Sequence, residues 1–281
     1  MNAGCWIAWT LILVSLCWGP IEEASPGTLG EFAIDTMETS DEEVVLEPLE
    51  LLELEAGQKA LHAAAALKKR AYDFDGEERE SGLVRAAAAY GVVADSGHYG
   101  VLERVEGAFR AGEIYRARER LDEARQRFEQ AVRLGEVVVE PAVRGYAARA
   151  LLELAHQLRR EGRLDEALDE YGAVRNRFGD CPRPSTHALT WSGKIQLKQG
   201  RVEEARASFL DFEPFVPDYQ MQAVRNIDDL TAALVLEGEV EQAHEVVALL
   251  EAALSSTGGR LEDSVASALQ SLRDKMKEFG Y

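Results

Sequence analysis

The stretch RLDEA at residues 163–167 decides the fold, because it returns along the chain. The same five letters stand at 120–124, RVEEA stands at 201–205, and the looser EVEQA stands at 239–243. Successive copies lie 43, 38 and 38 residues apart. A block that recurs at such a spacing is typical of stacked structural repeats and not of one globular core.

Each block lies between two amphipathic patterns. Apolar residues recur three and four positions apart on both sides, so each repeat is predicted to be a pair of α-helices. Gly162, Gly200 and Gly238 stand where the first helix must end, because glycine adopts the left-handed conformation of a helix C-terminus without a steric penalty. Acidic residues follow in the first turn of the second helix, where the helix dipole favours them. The predicted fold is therefore all-α.

The alanine of each block is predicted to be the closest contact between paired helices, because a larger side chain there would hold the helices apart. Aromatic side chains at fixed offsets are predicted to fill the remaining space. The residues predicted to pack the repeats are Ala124, Ala167, Ala205, Ala243, Tyr115, Phe128, Tyr171 and Phe209.

This pattern resembles the tetratricopeptide repeat (TPR), in which a small residue precedes the alanine, an aromatic residue follows it by four positions and a proline comes late. The third copy shows this order in Gly193, Ala205, Phe209 and Pro217. The match covers about residues 104–251. The resemblance implies a right-handed solenoid of antiparallel helix pairs. The family period is about 34 residues, so the longer spacing here predicts longer second helices or longer joins.

Two further elements flank the clear copies. Ala86 and Tyr90 belong to a weaker copy, 38 residues ahead of the next one, and an amphipathic helix after the last copy is predicted to cover the exposed apolar end. The predicted repeat domain is 57–281, with repeats at about 57–98, 104–138, 147–181, 185–219 and 223–256 and a capping helix at 260–279.

The N-terminus, residues 1–20, is predicted to be a signal or an anchor. Residues 3–20 carry no charge and are strongly apolar, and as a helix this segment would be barely long enough to span a bilayer. Three interpretations stay open: an uncleaved anchor, a cleaved signal, and lipidation at Cys17. No basic residue precedes Lys59, so the orientation is not decided. The predicted location is membrane-anchored, or periplasmic or extracellular.

Residues 21–56 are predicted to be an acidic, disordered linker. The stretch 19–56 holds twelve Asp or Glu and no Lys or Arg. It therefore has too few apolar groups to offset the entropy lost when a chain becomes ordered. Its part at 44–54 mixes acidic and apolar residues. That part is either the start of the first helix or a docking segment that folds on binding.

Composition excludes several classes of function. The net charge is −19, of which the acidic stretch supplies twelve charges, and the remaining acidic balance argues against nucleic acid as a partner. The three cysteines, Cys5, Cys17 and Cys181, and the five histidines form no spacing typical of a metal site. No nucleophile turn or phosphate-binding glycine loop is present. We therefore expect no enzyme activity, metal or cofactor, and a protein or peptide partner.

In the TPR family, ligands lie in a concave groove lined by the first helix of each repeat. Carried over by register, this groove is predicted to be basic in its middle repeats. Two ligands would fit it: an acidic or C-terminal peptide of another protein, or the acidic segment of this chain itself. The residues predicted to bind the peptide are Arg116, Arg149, His156, Arg159, His187, Lys194 and Arg225.

The helix predicted at 166–178, the join at 179–184 and the helix after it resemble the TPR proteins of bacterial envelopes, such as barrel-assembly lipoproteins and the Tol-Pal accessory protein. This resemblance implies a role in envelope assembly. The main prediction is a membrane-tethered or exported scaffold that binds a protein or peptide partner. A periplasmic accessory protein of envelope assembly is the alternative, and an enzyme with an unrecognised active site is a less favoured one.

Overall fold

A computed structural model describes residues 48–256, 258 and 261–278. The predicted signal or anchor at 1–20, and the predicted linker as far as residue 47, lie outside the described residues. Within them the chain forms helices and turns only. The helices are α1 (Pro48–Ala71), α2 (Gly76–Asp95), α3 (Val101–Ala117), α4 (Leu121–Gly135), α5 (Pro141–Arg160), α6 (Leu164–Phe178), α7 (Pro182–Lys198), α8 (Val202–Leu210), a 3-10 turn (Glu213–Phe215), α9 (Gln220–Glu237), α10 (Val240–Ser256) and α11 (Asp263–Glu278).

The helices form five consecutive pairs, α1 with α2 through α9 with α10, each joined by a short turn. Each first helix also packs on the first helix of the next pair, so α1, α3, α5, α7 and α9 form one continuous layer. The capping helix α11 packs on α9, where the first helix of another repeat would lie. Its buried side is apolar and its outer side is polar. The predicted all-α solenoid of helix pairs with a C-terminal cap is confirmed.

The observed helices correct two expectations about length. Helix α1 begins at Pro48, so residues 48–56 belong to a helix and not to the linker; proline is well suited to the first helical position. In the first three clear repeats the residues beyond the usual repeat length do not lie in longer second helices: α4 and α6 have 15 residues and α8 has only 9. They lie in the first helices, of which α5 has 20 residues, and in the join that contains the 3-10 turn.

The first helices of the clear repeats end in the same way. Gly162, Gly200 and Gly238 have φ of 78°, 72° and 86°, the left-handed conformation predicted for them. In each case the next N–H group bonds back to a carbonyl five residues earlier, as in a Schellman motif. At the end of α3 the same position holds Glu119, with φ of 58°. A side chain with a Cβ is strained there.

Glu119→Gly is therefore expected to raise the free energy of unfolding by about 1 kcal/mol, because the left-handed conformation costs glycine almost nothing. The measurement is guanidinium denaturation followed by far-UV circular dichroism. Gly162→Ala is the control, and it should lower stability by a similar amount. An unchanged midpoint for Glu119→Gly would contradict the strain at this turn.

The arginine and glutamate of the repeated block form a pair at the start of each second helix. Arg120 Nε donates to Glu123 Oε1 at 2.9 Å, and Arg163 and Arg201 donate in the same way to the glutamates three residues on, both at 2.7 Å. In the fourth block the chemistry is reversed: Gln242 Nε2 donates to Glu239 Oε2 at 3.2 Å. The block therefore recurs because the same kind of side-chain contact spans the first turn of four second helices.

The residues predicted to pack the repeats lie inside the helix pairs, with one exception. Ala124, Ala167, Ala205 and Ala243 are fully buried, and Phe128, Tyr171 and Phe209 are at most 3% exposed. Tyr115 is only half-buried, with the Arg120 guanidinium 4.9 Å from its ring centroid.

Two of the aromatic rings lie directly against a glycine of the first helix. A Cβ at Gly112 would lie 2.6 Å from the Phe128 ring, and one at Gly193 would lie 2.3 Å from the Phe209 ring. The glycine stands sixteen residues before the ring in both repeats. In the other two repeats the same offset of sixteen residues separates Ala155 from Tyr171 and Thr231 from Val247. Only in the last of these, where threonine stands in place of glycine or alanine, is the second residue smaller than an aromatic ring.

Buried apolar residues form three clusters along the solenoid: one around α1 and α2, a central one from α3 to α7, and one from α7 to α11. Helix α7 belongs to two of them. Its Ala188 and Ile195 pack in the central cluster, and its Leu189 packs in the C-terminal one.

Ion pairs at about one repeat of spacing connect successive pairs. Arg127 binds Asp95, Arg175 binds Asp211, and Arg206 binds Glu245, with N–O distances of 2.6–2.8 Å. Exposed pairs of this kind stabilise little, but together they fit only one stacking register.

Candidate functional site on the first-helix layer

The predicted groove residues lie on the layer of first helices, on α3, α5, α7 and α9. Carboxylates lie between the basic side chains there. Arg116 binds Glu153 at 3.2 Å, Arg149 lies 3.7 Å from Glu113, and Lys194 lies 3.4 Å from Asp229. We call the exposed and half-buried residues on this surface the first-helix face: Glu106, Arg110, Glu113, Arg116, Tyr146, Arg149, Glu153, His156, Arg159, Arg160, Trp191, Lys194, Asp228 and Asp229.

These carboxylates change the expected electrostatics. Glu153 is shared by Arg116 and Arg160, and burial raises its pKa although both guanidiniums oppose the shift. Burial likewise raises the pKa of Asp229 beside Lys194. The predicted basic stripe is thus a ladder of alternating charges. Glu153 stands four residues after Arg149, one helical turn along, which is the signal that could have placed it on this face.

The middle of the first-helix face holds a cluster of rings and cations. The Arg159 guanidinium lies 3.8 Å from the centre of the Trp191 ring, close enough for a cation–π contact, and the Lys194 ammonium lies 5.9 Å from it. His156 Nδ1 and the Tyr171 hydroxyl are 2.6 Å apart, and the His156 and Trp191 ring centroids are 6.0 Å apart. We call these five residues the Trp191 cluster.

His156 carries no charge in this cluster at neutral pH. Burial lowers its pKa to about 3, and the positive charges of Arg159, His187, Arg160 and Arg116 add to the shift. His156 is therefore expected to take part in ligand binding as a neutral ring.

The structure brings together only some of the predicted groove residues. His156, Arg159 and Lys194 surround Trp191, while Arg116 and Arg149 lie in the charge ladder on α3 and α5. His187 and Arg225 are exposed, on α7 and α9. Trp191, which is not among the residues predicted to bind the peptide, is the ring on which the cluster is built.

Arg159 differs from the other arginines of the face. Among the described residues no carboxylate forms an ion pair with it; its Nε, like that of Arg116, is buried without a hydrogen-bond partner. Its charge opposes the rise that burial causes in the pKa of Tyr171. Stacking on Trp191 thus holds the guanidinium in place without neutralising its charge.

The other features that could indicate a function are a metal site, a reactive cysteine and a membrane-spanning helix. Among the described residues, no three His, Cys, Asp or Glu side chains are arranged to hold a metal ion. Cys181 is buried, and burial raises the pKa of its thiol to about 11, so it is protonated at neutral pH. In the part of the chain that the structure describes, no helix combines the length and hydropathy that crossing a bilayer requires.

Comparison with known proteins gives similarity at the level of the fold. No protein-family model matches the chain, and no curated protein matches it. A solved structure of a kinesin light chain protein with nearly identical TPR-like repeats from Podosopora anserina is 14% identical, with a TM-score of 0.44, and the match covers 76% of this chain and 99% of that one. BtubC (BKLC) from P. vanneervenii is also 14% identical, with a TM-score of 0.46, and the match covers 78% of this chain and 95% of that one.

Proposed function

We propose that this chain is a non-enzymatic scaffold for protein–protein interaction, and that it binds an acidic peptide segment on the first-helix face at the Trp191 cluster. The observation that carries the proposal is Arg159, a guanidinium held against a ring with no carboxylate to neutralise it. Arg160 and Lys194 lie beside it, and each is paired with a carboxylate that a ligand could replace.

Physical chemistry favours an acidic peptide over an apolar one at this place. A guanidinium offers its N–H groups in a planar fork that matches a carboxylate, and such charge-assisted bonds are stronger than neutral ones. The stacked arrangement lowers the entropy lost on binding, since the side chain is already ordered. The half-buried Trp191 ring supplies an apolar surface for the stem of a bound glutamate.

Arg159→Glu is expected to weaken binding of a fluorescein-labelled oligoglutamate peptide by about tenfold or more, because it removes a charge-assisted bond and adds a repulsion. The measurement is fluorescence anisotropy on the full chain, at low salt. Binding should also weaken as salt is added. His156 should add no pH dependence between neutral pH and about 5, since burial lowers its pKa to about 3.

Arg133→Glu is the matched control, since it makes the same change of charge on α4, outside the first-helix layer, where the side chain is 67% exposed. It should change the affinity by no more than about twofold. Equal loss in both variants would show only a general effect of net charge, and it would contradict the site. Binding that does not depend on salt would contradict the electrostatic mechanism.

A further inference from the structure

A pocket of about 400 Å³ opens at the N-terminal end of the first-helix layer. Its walls come from α1 and the residue after it, from α2, and from α3. The residues that line it are Ala65, Lys68, Lys69, Tyr72, Tyr90, Glu106 and Arg110. It lies between α1 and α3, whereas the Trp191 cluster lies between α5 and α7, so the two are separate.

The positive charge of this pocket is supplied by two lysines. Arg110 already binds Glu106 at 3.3 Å and Glu113 at 3.2 Å. Lys68 and Lys69 form no ion pair within the described residues. Both lysines therefore line this space without an ion-pair partner, while the Glu106 carboxylate of the wall is held by Arg110.

Tyr90 adds a hydrogen-bond donor to the wall. The side chain is only 6% exposed, and burial raises the pKa of its phenol, an effect that the nearby Arg110 only partly offsets. The hydroxyl is therefore protonated at neutral pH. The Tyr90 ring is held in the wall of the pocket by its packing in the N-terminal cluster.

We infer that this pocket binds a phosphate monoester. Such a group carries a charge of about −1.5 to −2 near neutral pH and has three strong acceptor oxygens, which matches two free ammonium groups and a hydroxyl donor. A carboxylate would balance only one of the two charges. Lysine is also an ordinary phosphate ligand in proteins.

The phosphate could belong to a phosphorylated side chain of a groove peptide or to a free small molecule. The first case rests on the proposed function and has a geometric consequence. Neighbouring packed helices lie about 8–10 Å apart, so two steps along the layer separate the pocket from the Trp191 cluster by roughly 20 Å. An extended peptide covers about 3.3 Å per residue, so the phosphorylated residue should stand about six residues from the acidic run.

The experiment measures the binding of three probes to the full chain: oligoglutamate peptides with phosphoserine about six residues before or after the acidic run, the same peptides with serine, and free O-phosphoserine. Phosphorylation is expected to tighten peptide binding about tenfold. This gain should vanish in the double variant Lys68→Ala, Lys69→Ala. It should persist in Arg70→Ala, which removes a neighbouring exposed cation that does not line the pocket.

In another outcome, free O-phosphoserine binds with the same dependence on the two lysines while phosphorylation of the peptides gives no gain in affinity. That result would support a phosphate site in the pocket and assign it to a small molecule. The inference would be overturned if neither phosphorylated probe bound more tightly than its serine counterpart. It would also be overturned if the gain in affinity on phosphorylation persisted after both lysines were removed. Arg159→Glu separates the two proposals. It should weaken the serine peptide and leave free O-phosphoserine unaffected.

Discussion

Replacing Gly193 with alanine will lower the free energy of unfolding by about 2–3 kcal/mol. The new Cβ would lie 2.3 Å from Cε1 of Phe209, a distance at which either the ring or the helix must move. Phe209 is 3% exposed, and a shift of its ring away from the new methyl group would give up contacts in the C-terminal cluster. Urea denaturation followed by far-UV circular dichroism is the measurement.

Gly172→Ala is the matched control. It is the same substitution in the interior of α6, where a Cβ would meet nothing within 4 Å. Alanine is favoured over glycine inside a helix, so this variant should be more stable by about 0.5–1 kcal/mol. The two substitutions thus have opposite expected signs.

A double variant tests the cause of the loss. Phe209→Leu should be destabilising alone, because it leaves a cavity, but it also removes the atoms that the new Cβ would meet. The combination Gly193→Ala, Phe209→Leu should therefore be less destabilised than the sum of the single variants, by about 1 kcal/mol or more. Strict additivity would show that the glycine matters for another reason.

Glu103→Met will raise the free energy of unfolding at neutral pH by about 2 kcal/mol. Glu103 is 1% exposed on α3, and both of its carboxylate oxygens are buried without a hydrogen-bond partner. Its Cγ lies 3.0 Å from the position that a Cβ would take at Gly57, so the backbone of α1 covers it. Methionine is unbranched and close to glutamate in shape, so it should fit the same space.

The stability of the unaltered chain should also depend on pH through this residue. Burial raises the pKa of Glu103, and the charges of Glu140 and Glu106 raise it further. The folded state then holds the proton more tightly than the unfolded state. Stability is greatest below the ordinary carboxyl pKa and falls as the pH rises through the raised value.

Denaturation at several pH values checks both statements. Glu103→Met should abolish this part of the pH dependence, so its advantage over the unaltered chain should shrink as the pH falls. Glu129→Met is the control, because Glu129 is 48% exposed and only 3.9 Å from Arg133; it should change stability by less than about 0.5 kcal/mol. A loss of stability in Glu103→Met at neutral pH would contradict the cost assigned to the buried carboxylate.

The sequence predicted the helix pairs well because their signals are local. A helix must end at a residue that tolerates positive φ, and the alanine of each block must be small, so both recur wherever the pair recurs. Even the weak first pair followed from Ala86 and Tyr90, which are both buried. The start of α1 at Pro48 was harder, since a stretch rich in glutamate and leucine also suits a disordered linker.

The candidate site could be predicted only in outline. The register assigned Arg149 and Lys194 to the correct helices, but their partners Glu113 and Asp229 lie on neighbouring first helices. Whether two such side chains meet depends on the angle and distance at which the helices cross, and a repeat pattern does not contain these. The charge of His156 depends in the same way on burial between helices.

The division of the core at α7 gives this solenoid a mechanical seam. Because α7 contributes Ala188 and Ile195 to one cluster and Leu189 to the next, the two clusters meet through a single helix. A load that bends the stack is expected to change the orientation of these two clusters at this helix, because each repeat of a solenoid contacts only its neighbours. Trp191 and Lys194 are on that helix, so a ligand that bridges α5, α7 and α9 would restrict the movement of the two clusters relative to each other.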